Sequence, residues 1–184
     1  MKKIAVYCGA SSGNNFEYAQ AARALGAAIG RAGLGIVFGG GENGLMGEVA
    51  LGCAQEKGEV LGVIPVFLQE KEGARGSLSV LEVVDSMHLR KERIAQLSDA
   101  FIALPGGFGT LDELCEVVTW SQLGIHQKPI GILNTRGYFD KFLNFIDHAQ
   151  NEGFIRGVAK DYFMVESSPD FLLGRITKCL ARSV

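Results

Sequence analysis

Ala100-Phe101-Ile102-Ala103-Leu104-Pro105-Gly106-Gly107-Phe108-Gly109-Thr110-Leu111-Asp112-Glu113 is the stretch on which the reading of this chain turns. Its first five residues are apolar at successive positions, the pattern of a strand covered on both faces. A glycine turn follows, and a helical pattern starts near Thr110. The same order recurs along the chain. β-rich runs fall at about 3–8, 34–38, 60–64, 80–84, 100–104, 130–134 and 162–166, by residue type and by flanking turn signals. Helical periodicity fills about 16–32, 44–57, 87–98, 110–123, 138–151 and 169–182, as apolar residues recur every three to four positions. Asn15, Ser86 and Ser168-Pro169 stand where helix caps belong. Alternating strands and helices predict a single α/β domain over 1–184, a Rossmann-like, doubly wound, mainly parallel sheet with helices on both faces. The stretch 66–79 is expected to be a mobile loop.

Such sheets bind ligands beyond the carboxyl ends of their strands. Three glycine-rich turns fall at that edge: Cys8 to Gly13, Gly39 to Gly44, and Pro105 to Thr110. The chain has 25 glycines in 184 residues, about twice the usual ~7%. Gathered at strand ends, they point to a backbone that approaches a ligand closely.

Composition narrows the class. The 184 residues suffice for a substantial core without metals or disulfides. With 18 basic and 20 acidic residues the formal charge is −2, and no Lys/Arg block marks a nucleic-acid surface. No run approaches the roughly 20 apolar residues of a membrane span. Cys8, Cys53, Cys115 and Cys179 form no CxxC pair and read as reduced, mostly buried thiols of a cytoplasmic protein. No histidine spacing suggests a metal, and no cofactor is expected.

Gly39-Gly40-Gly41-Glu42-Asn43-Gly44 satisfies GxGxxG, so a dinucleotide site is one candidate. It follows the second strand rather than the first, however, and the next strand ends on Ile64-Pro65 without an acid to hold a ribose. The 105–110 turn is more specific. Exposed N–H groups at a helix start, with the helix dipole behind them, make a phosphate cradle, to which Thr110 adds a hydroxyl. A purely structural corner needs fewer glycines.

Glu113 and Glu116 stand one turn apart on the helix that follows, sharing a face with Val117, Trp120 and Leu123. Favourable charge near a helix N-terminus accounts for Asp112. Carboxylates bordered by Trp and Leu are costly unless paired or used, which singles out Glu113. The helix carries no charge between Glu116 and Lys128, so burial on most sides is expected, by the core and a second subunit. In the preceding helix Met87, Arg90, Ile94 and Leu97 form one stripe, while Lys91 and Arg93 fall on solvated positions. An inward Arg90 needs an anion, either a carboxylate such as Glu113 or a ligand phosphate. Ser11 and Ser12 lack a GxSxG frame and read as hydrogen-bond donors rather than nucleophiles.

Met87-His88-Leu89-Arg90-Lys91 and Pro105 to Glu113 together resemble the paired signatures MxxRK and PGGxGTxxE of the Lonely Guy family. The resemblance extends from Ile4 to Gly9, through Gly39 to Gly41 with Gly44 to Gly47, and through Thr119 to Pro129, to Glu152-Gly153-Phe154-Ile155. It implies a Rossmann-like fold, a homodimer with the site near the interface, and hydrolysis of the N-glycosidic bond of AMP or N6-substituted AMP. The products are free base and ribose 5-phosphate. By resemblance Arg90 and Glu113 match the catalytic pair, and Lys91, Gly106, Gly107, Gly109 and Thr110 match the phosphate-binding positions. Glu72 and Thr119 are further positions that it brings toward the substrate. Gly9, Ser12, Gly40, Met87, Phe108 and Glu116 complete the candidate set. Proteins of this kind are often labelled lysine decarboxylases, but no pyridoxal-phosphate lysine motif stands in this chain. The main rival is a non-catalytic nucleotide or pterin-cofactor carrier on the same fold.

Overall fold

The computed structural model describes residues 1–72, 79–158 and 161–182, the side chains of 70–72 excepted. Among the described residues seven strands form one sheet: β1 (Lys3–Tyr7), β2 (Gly35–Phe38), β3 (Val60–Pro65), β4 (Val80–Val84), β5 (Ala100–Ala103), β6 (Ile130–Leu133) and β7 (Met164–Glu166). Their order is β4-β3-β2-β1-β5-β6-β7, and every neighbouring pair is parallel. The helices are α1 (Phe16–Arg31), α2 (Gly44–Gln55), α3 (Val66–Glu72), α4 (Met87–Leu97), α5 (Phe108–Gln122), α6 (Asp140–Asn151) and α7 (Pro169–Arg182).

The alternation of strand side chains explains the two layers. Ile4, Val6, Ile36, Phe38, Ile102 and Leu104 face one way and meet Leu25, Ile29, Val49 and Ile176 of α1, α2 and α7. Ala5, Tyr7, Val37, Phe101 and Ala103 face the other way, against Ile94, Leu114, Val117 and Phe139. Central strands therefore have no polar face to spare, and their continuous apolar runs follow from that. β4 forms one edge, and there the burial fades: Val80 and Val83 are exposed.

Two predicted caps close as hydrogen bonds. Asn15 Oδ1 accepts from Glu17 N at 2.9 Å, and Ser86 Oγ accepts from Leu89 N at 3.2 Å. The loop expected over 66–79 is helical through Glu72; residues 73–78 lie outside those described. α5 begins at Phe108 rather than near Thr110, because the extended Gly107 takes the N-cap position. It is also buried on one side only, through Thr110, Leu114 and Val117. The expected burial on most sides is not met within one chain, where Leu123 is 70% exposed.

Among the described residues no helix is long and apolar enough to cross a membrane. No disulfide joins any of the four cysteines, all of which lie among the described residues. Only Cys8 and Cys53 are fully buried, and Cys115 on α5 is exposed, so "mostly buried" holds for two of the four.

Candidate active site

β1 and β5 lie side by side, yet the chain leaves β1 toward β2 and leaves β5 toward β6. A crevice opens between connections that depart in opposite directions. The three glycine-rich turns converge there and are tied through Gly9. Its N–H donates to Pro105 O (3.0 Å), and its carbonyl accepts from Leu45 N (3.0 Å). The resulting cavity of about 560 Å³ is walled by the turns, by Leu45, Met46 and Leu68, by Met87, Arg90 and Lys91, and by Asp112, Glu113, Tyr18 and Tyr138.

The 105–110 turn forms the floor. The N–H groups of Gly107, Phe108, Gly109 and Thr110 find no partner among the described residues, and Leu111 N, which donates to Gly107 O at 3.1 Å, is the first to do so. Unpaired amides at the positive end of α5 can hold an anion. Gly106 has no room for a side chain. A Cβ there would stand against Thr110 Oγ1, and only 2.8 Å from Gly9 N.

Arg90 is fixed by main chain rather than by an acid. Its Nε donates to Val63 O (3.1 Å) and its Nη2 to Gly39 O (3.0 Å), while Nη1 lies 3.8 Å from Met87 Sδ. A Cβ on Gly39 would occupy the place of Nη2. The second glycine turn therefore seats an arginine. No ion pair joins Arg90 to Glu113, so of the two anions left open for Arg90 the carboxylate is not in contact. Its charge nonetheless acts on Glu113.

Glu113 comes from the second turn of α5 and points into the cavity. Burial pushes its carboxyl up to about 7; Asp112 and Glu116 push the same way, against Arg90 and Lys91. A carboxyl that titrates near neutrality suits proton transfer. Cys8 and Tyr7 border the same carboxyl. Burial, then the charge of Glu113, holds the Cys8 thiol above its usual range, and Tyr7 is raised by burial, Glu113 and Glu116. Both therefore stay protonated at neutral pH.

Lys91 departs from expectation. It is not solvated: its side chain is 15% exposed, and Nζ lies 3.1 Å from Asp112 Oδ2 and 3.0 Å from Glu116 Oε1. Burial pulls the ammonium pKa down, but hydrogen bonds and charge from Glu116 and Asp112 outweigh it, and the group ends above its ordinary value. Lys91 thus lines the cavity with its charge already engaged. Arg93 does lie outward, paired with Glu82.

Of the candidate set, Gly9, Ser12, Met87, Arg90, Lys91, Gly106, Gly107, Gly109, Thr110 and Glu113 line the cavity. Four others do not. Gly40 is buried away from it, with a positive φ of 77° against Leu81 and Ile64, because Gly39 is the residue that faces Arg90. The Phe108 side chain is 92% exposed and contributes only its amide to the floor. Glu116 meets Lys91 on the far side, in a second groove with Trp120 and His126. Thr119 is exposed, its hydroxyl donating to Cys115 O at 2.7 Å. The Glu72 side chain lies outside the described residues. Tyr18, Tyr138 and Asp112 were missed as cavity residues. The two tyrosines belong to distant segments with no motif of their own, and Asp112 had a sufficient explanation in the helix dipole. Among the described residues no group of three or more His, Cys, Asp or Glu is placed to hold a metal ion.

A family model described as "Possible lysine decarboxylase" matches residues 46–176, a span holding Arg90, the glycine cradle and Glu113. A cytokinin riboside 5′-monophosphate phosphoribohydrolase of Arabidopsis thaliana is 43% identical over 181 residues, covering 98% of this chain and 85% of the relative. The chain belongs to the Lonely Guy family. A second Arabidopsis thaliana relative of the same name is 48% identical over 159 residues, 86% of this chain and 73% of its own. Among solved structures, the molybdenum cofactor binding protein of Rippkaea orientalis superposes with a TM-score of 0.75 at 21% identity, covering 97% of both chains. The molybdenum cofactor carrier protein of Chlamydomonas reinhardtii gives 0.74 at 20% identity, over 98% of both. At these identities the likeness shows a shared Rossmann-like fold.

Proposed function

We propose that this Lonely Guy family member is a nucleoside 5′-monophosphate phosphoribohydrolase that splits purine from ribose 5-phosphate in AMP or an N6-substituted AMP. One observation carries the reading: a carboxyl raised to about 7 faces a held guanidinium across a cavity whose floor is unpaired amides. The curated relatives, named for that reaction on cytokinin riboside 5′-monophosphates, support it.

The chemistry follows from the parts. The free N–H groups of residues 107–110 hold the 5′-phosphate, and binding energy there orients the distant sugar. Lengthening of the C1′–N9 bond builds an oxocarbenium-like sugar, which the Glu113 carboxylate stabilises. The same carboxylate orients the attacking water and takes its proton, while the departing base leaves with the bonding pair and is protonated from solvent, to which Glu113 returns its proton. Arg90, immobile on two carbonyls, binds substrate and tunes Glu113 through space. Lys91 holds Asp112 and Glu116 to either side and lends a partial positive field.

The active unit is a homodimer that meets on α4 and α5. Exposed Leu123 and Ile125, just past the end of α5, support this, since apolar side chains left in water close together mark an association surface. The test incubates purified protein with AMP, isopentenyladenosine monophosphate, adenosine, GMP and CMP, and follows free base by chromatography. Release from purine monophosphates but not adenosine supports the reading. AMP binding without release supports a carrier.

A further inference from the structure

Tyr138, on the corner between β6 and α6, lines the cavity. Arg136 and Gly137 stand in succession in the left-handed region, at φ 56° and 70°, a conformation that a side chain such as Arg136 rarely adopts. Three contacts hold the corner. Arg136 pairs with Glu17 at 2.5 Å, the Asn134 side chain accepts from Phe139 N at 2.8 Å, and it donates to Asp140 at 2.7 Å. Phe139 is buried and meets Tyr138 edge-on, with centroids 5.1 Å apart. On its other side Tyr138 meets Tyr18 edge-on at 5.8 Å.

This arrangement sets the Tyr138 hydroxyl on Gly106 O at 2.5 Å. Gly106 is the residue with no room for a side chain, and its carbonyl belongs to the peptide whose N–H is that of Gly107. In a trans peptide the C=O and N–H point in opposite directions. Whatever pins the carbonyl therefore aims the amide, and no partner among the described residues holds the Gly107 N–H.

We propose that Tyr138 is a positioning residue for the phosphate cradle. By holding Gly106 O it fixes the Gly106–Gly107 peptide and directs the Gly107 N–H toward the substrate's 5′-phosphate. The strained 134–139 corner delivers the ring to that place. The proposal rests on the reading of the 105–110 turn as the phosphate site, and it gives a role to a residue outside both family signatures.

Tyr138→Phe keeps the ring and removes the hydroxyl. The KM for AMP is expected to rise about fivefold, the effect of one neutral hydrogen bond, with kcat changed less than about twofold. The inhibition constant of ribose 5-phosphate rises by the same factor, and that of adenine stays put. Unchanged constants overturn the proposal, as does an equal shift for adenine, which would place Tyr138 on the base wall instead. Wild-type protein that does not bind ribose 5-phosphate overturns the cradle itself, and this inference with it. Should Tyr138→Phe not fold, wild-type protein labelled at the tyrosine ζ-carbon gives a second readout. Inorganic phosphate is expected to shift the Tyr138 resonance and leave that of buried Tyr7 in place. A Tyr138 resonance indifferent to phosphate overturns the proposal.

Discussion

The Arg90 guanidinium occupies the space that a side chain on Gly39 would fill, and it donates to that glycine's carbonyl at 3.0 Å. A glycine at the end of β2 and an arginine on α4 are therefore one structural unit. Gly39→Ala should displace the guanidinium and lower kcat/KM by about 100-fold, the scale set by misplacing a positioning group by an ångström. Arg90→Lys should lose a similar amount, since an ammonium does not reproduce the planar fork. Steady-state kinetics with AMP decide both. Wild-type kcat/KM in Gly39→Ala would show that the guanidinium position is unimportant.

Glu113→Gln keeps shape and removes charge. Turnover of AMP is expected to fall by at least about a thousandfold, the upper range for loss of one electrostatic group. Binding of AMP should stay measurable by calorimetry. A variant that turns over normally would remove Glu113 from the chemistry.

The carboxyl raised to about 7 predicts a pH profile. The mechanism needs the ionised form, so kcat/KM should fall as pH drops below about 7, approaching tenfold per unit. AMP phosphate ionisation, near pH 6, adds a second, lower limb. A flat profile between pH 5 and 8 would contradict the assigned base.

Stability should run the other way. The carboxyl sits near 7 in the folded chain against 4.5 for an unperturbed group. Between those values the folded chain keeps a proton that the unfolded chain releases, so the contribution to stability is present below 4.5 and lost as pH rises through 7. Glu113→Gln should thus melt higher than wild type at pH 8, by about 3 °C or more on the usual scale for a domain of this size. The gap should close near pH 4.5. Thermal scans at both pH values check it, and an equal gap at both would point to packing instead.

The proposed dimer has its own test. Leu123→Glu with Ile125→Glu should convert a sedimenting dimer to monomer and reduce AMP hydrolysis at least about tenfold, because charge at an interface core is poorly tolerated. A fully active monomer would show that each cavity is complete by itself.

The apolar runs and helical stripes were enough to assign all seven strands and six of the seven helices among the described residues, because burial on both faces leaves an unbroken apolar run in a strand and burial on one face leaves a helical period. α3 escaped, since Val66-Phe67-Leu68 continues from Pro65 and the Glu/Lys/Gly composition after it resembles a loop. Glu113 was legible as well: a carboxylate flanked by Trp and Leu on a helix that follows three glycines is anomalous from residue types alone. Lys91 was not, because helical phase put it on the solvent side and only the approach of α5 to α4 supplies Asp112 and Glu116.

The sequence alone determined the parallel sheet and its glycine-furnished rim and singled out Arg90 and Glu113 as candidates, since those depend on local period and residue type. The tertiary structure decided what they touch. It made Gly39 a seat for Arg90, left Arg90 and Glu113 apart but within each other's field, and brought Tyr138 onto Gly106 from 32 residues away. Contacts between segments depend on the angle and separation of packed elements, which no local pattern encodes.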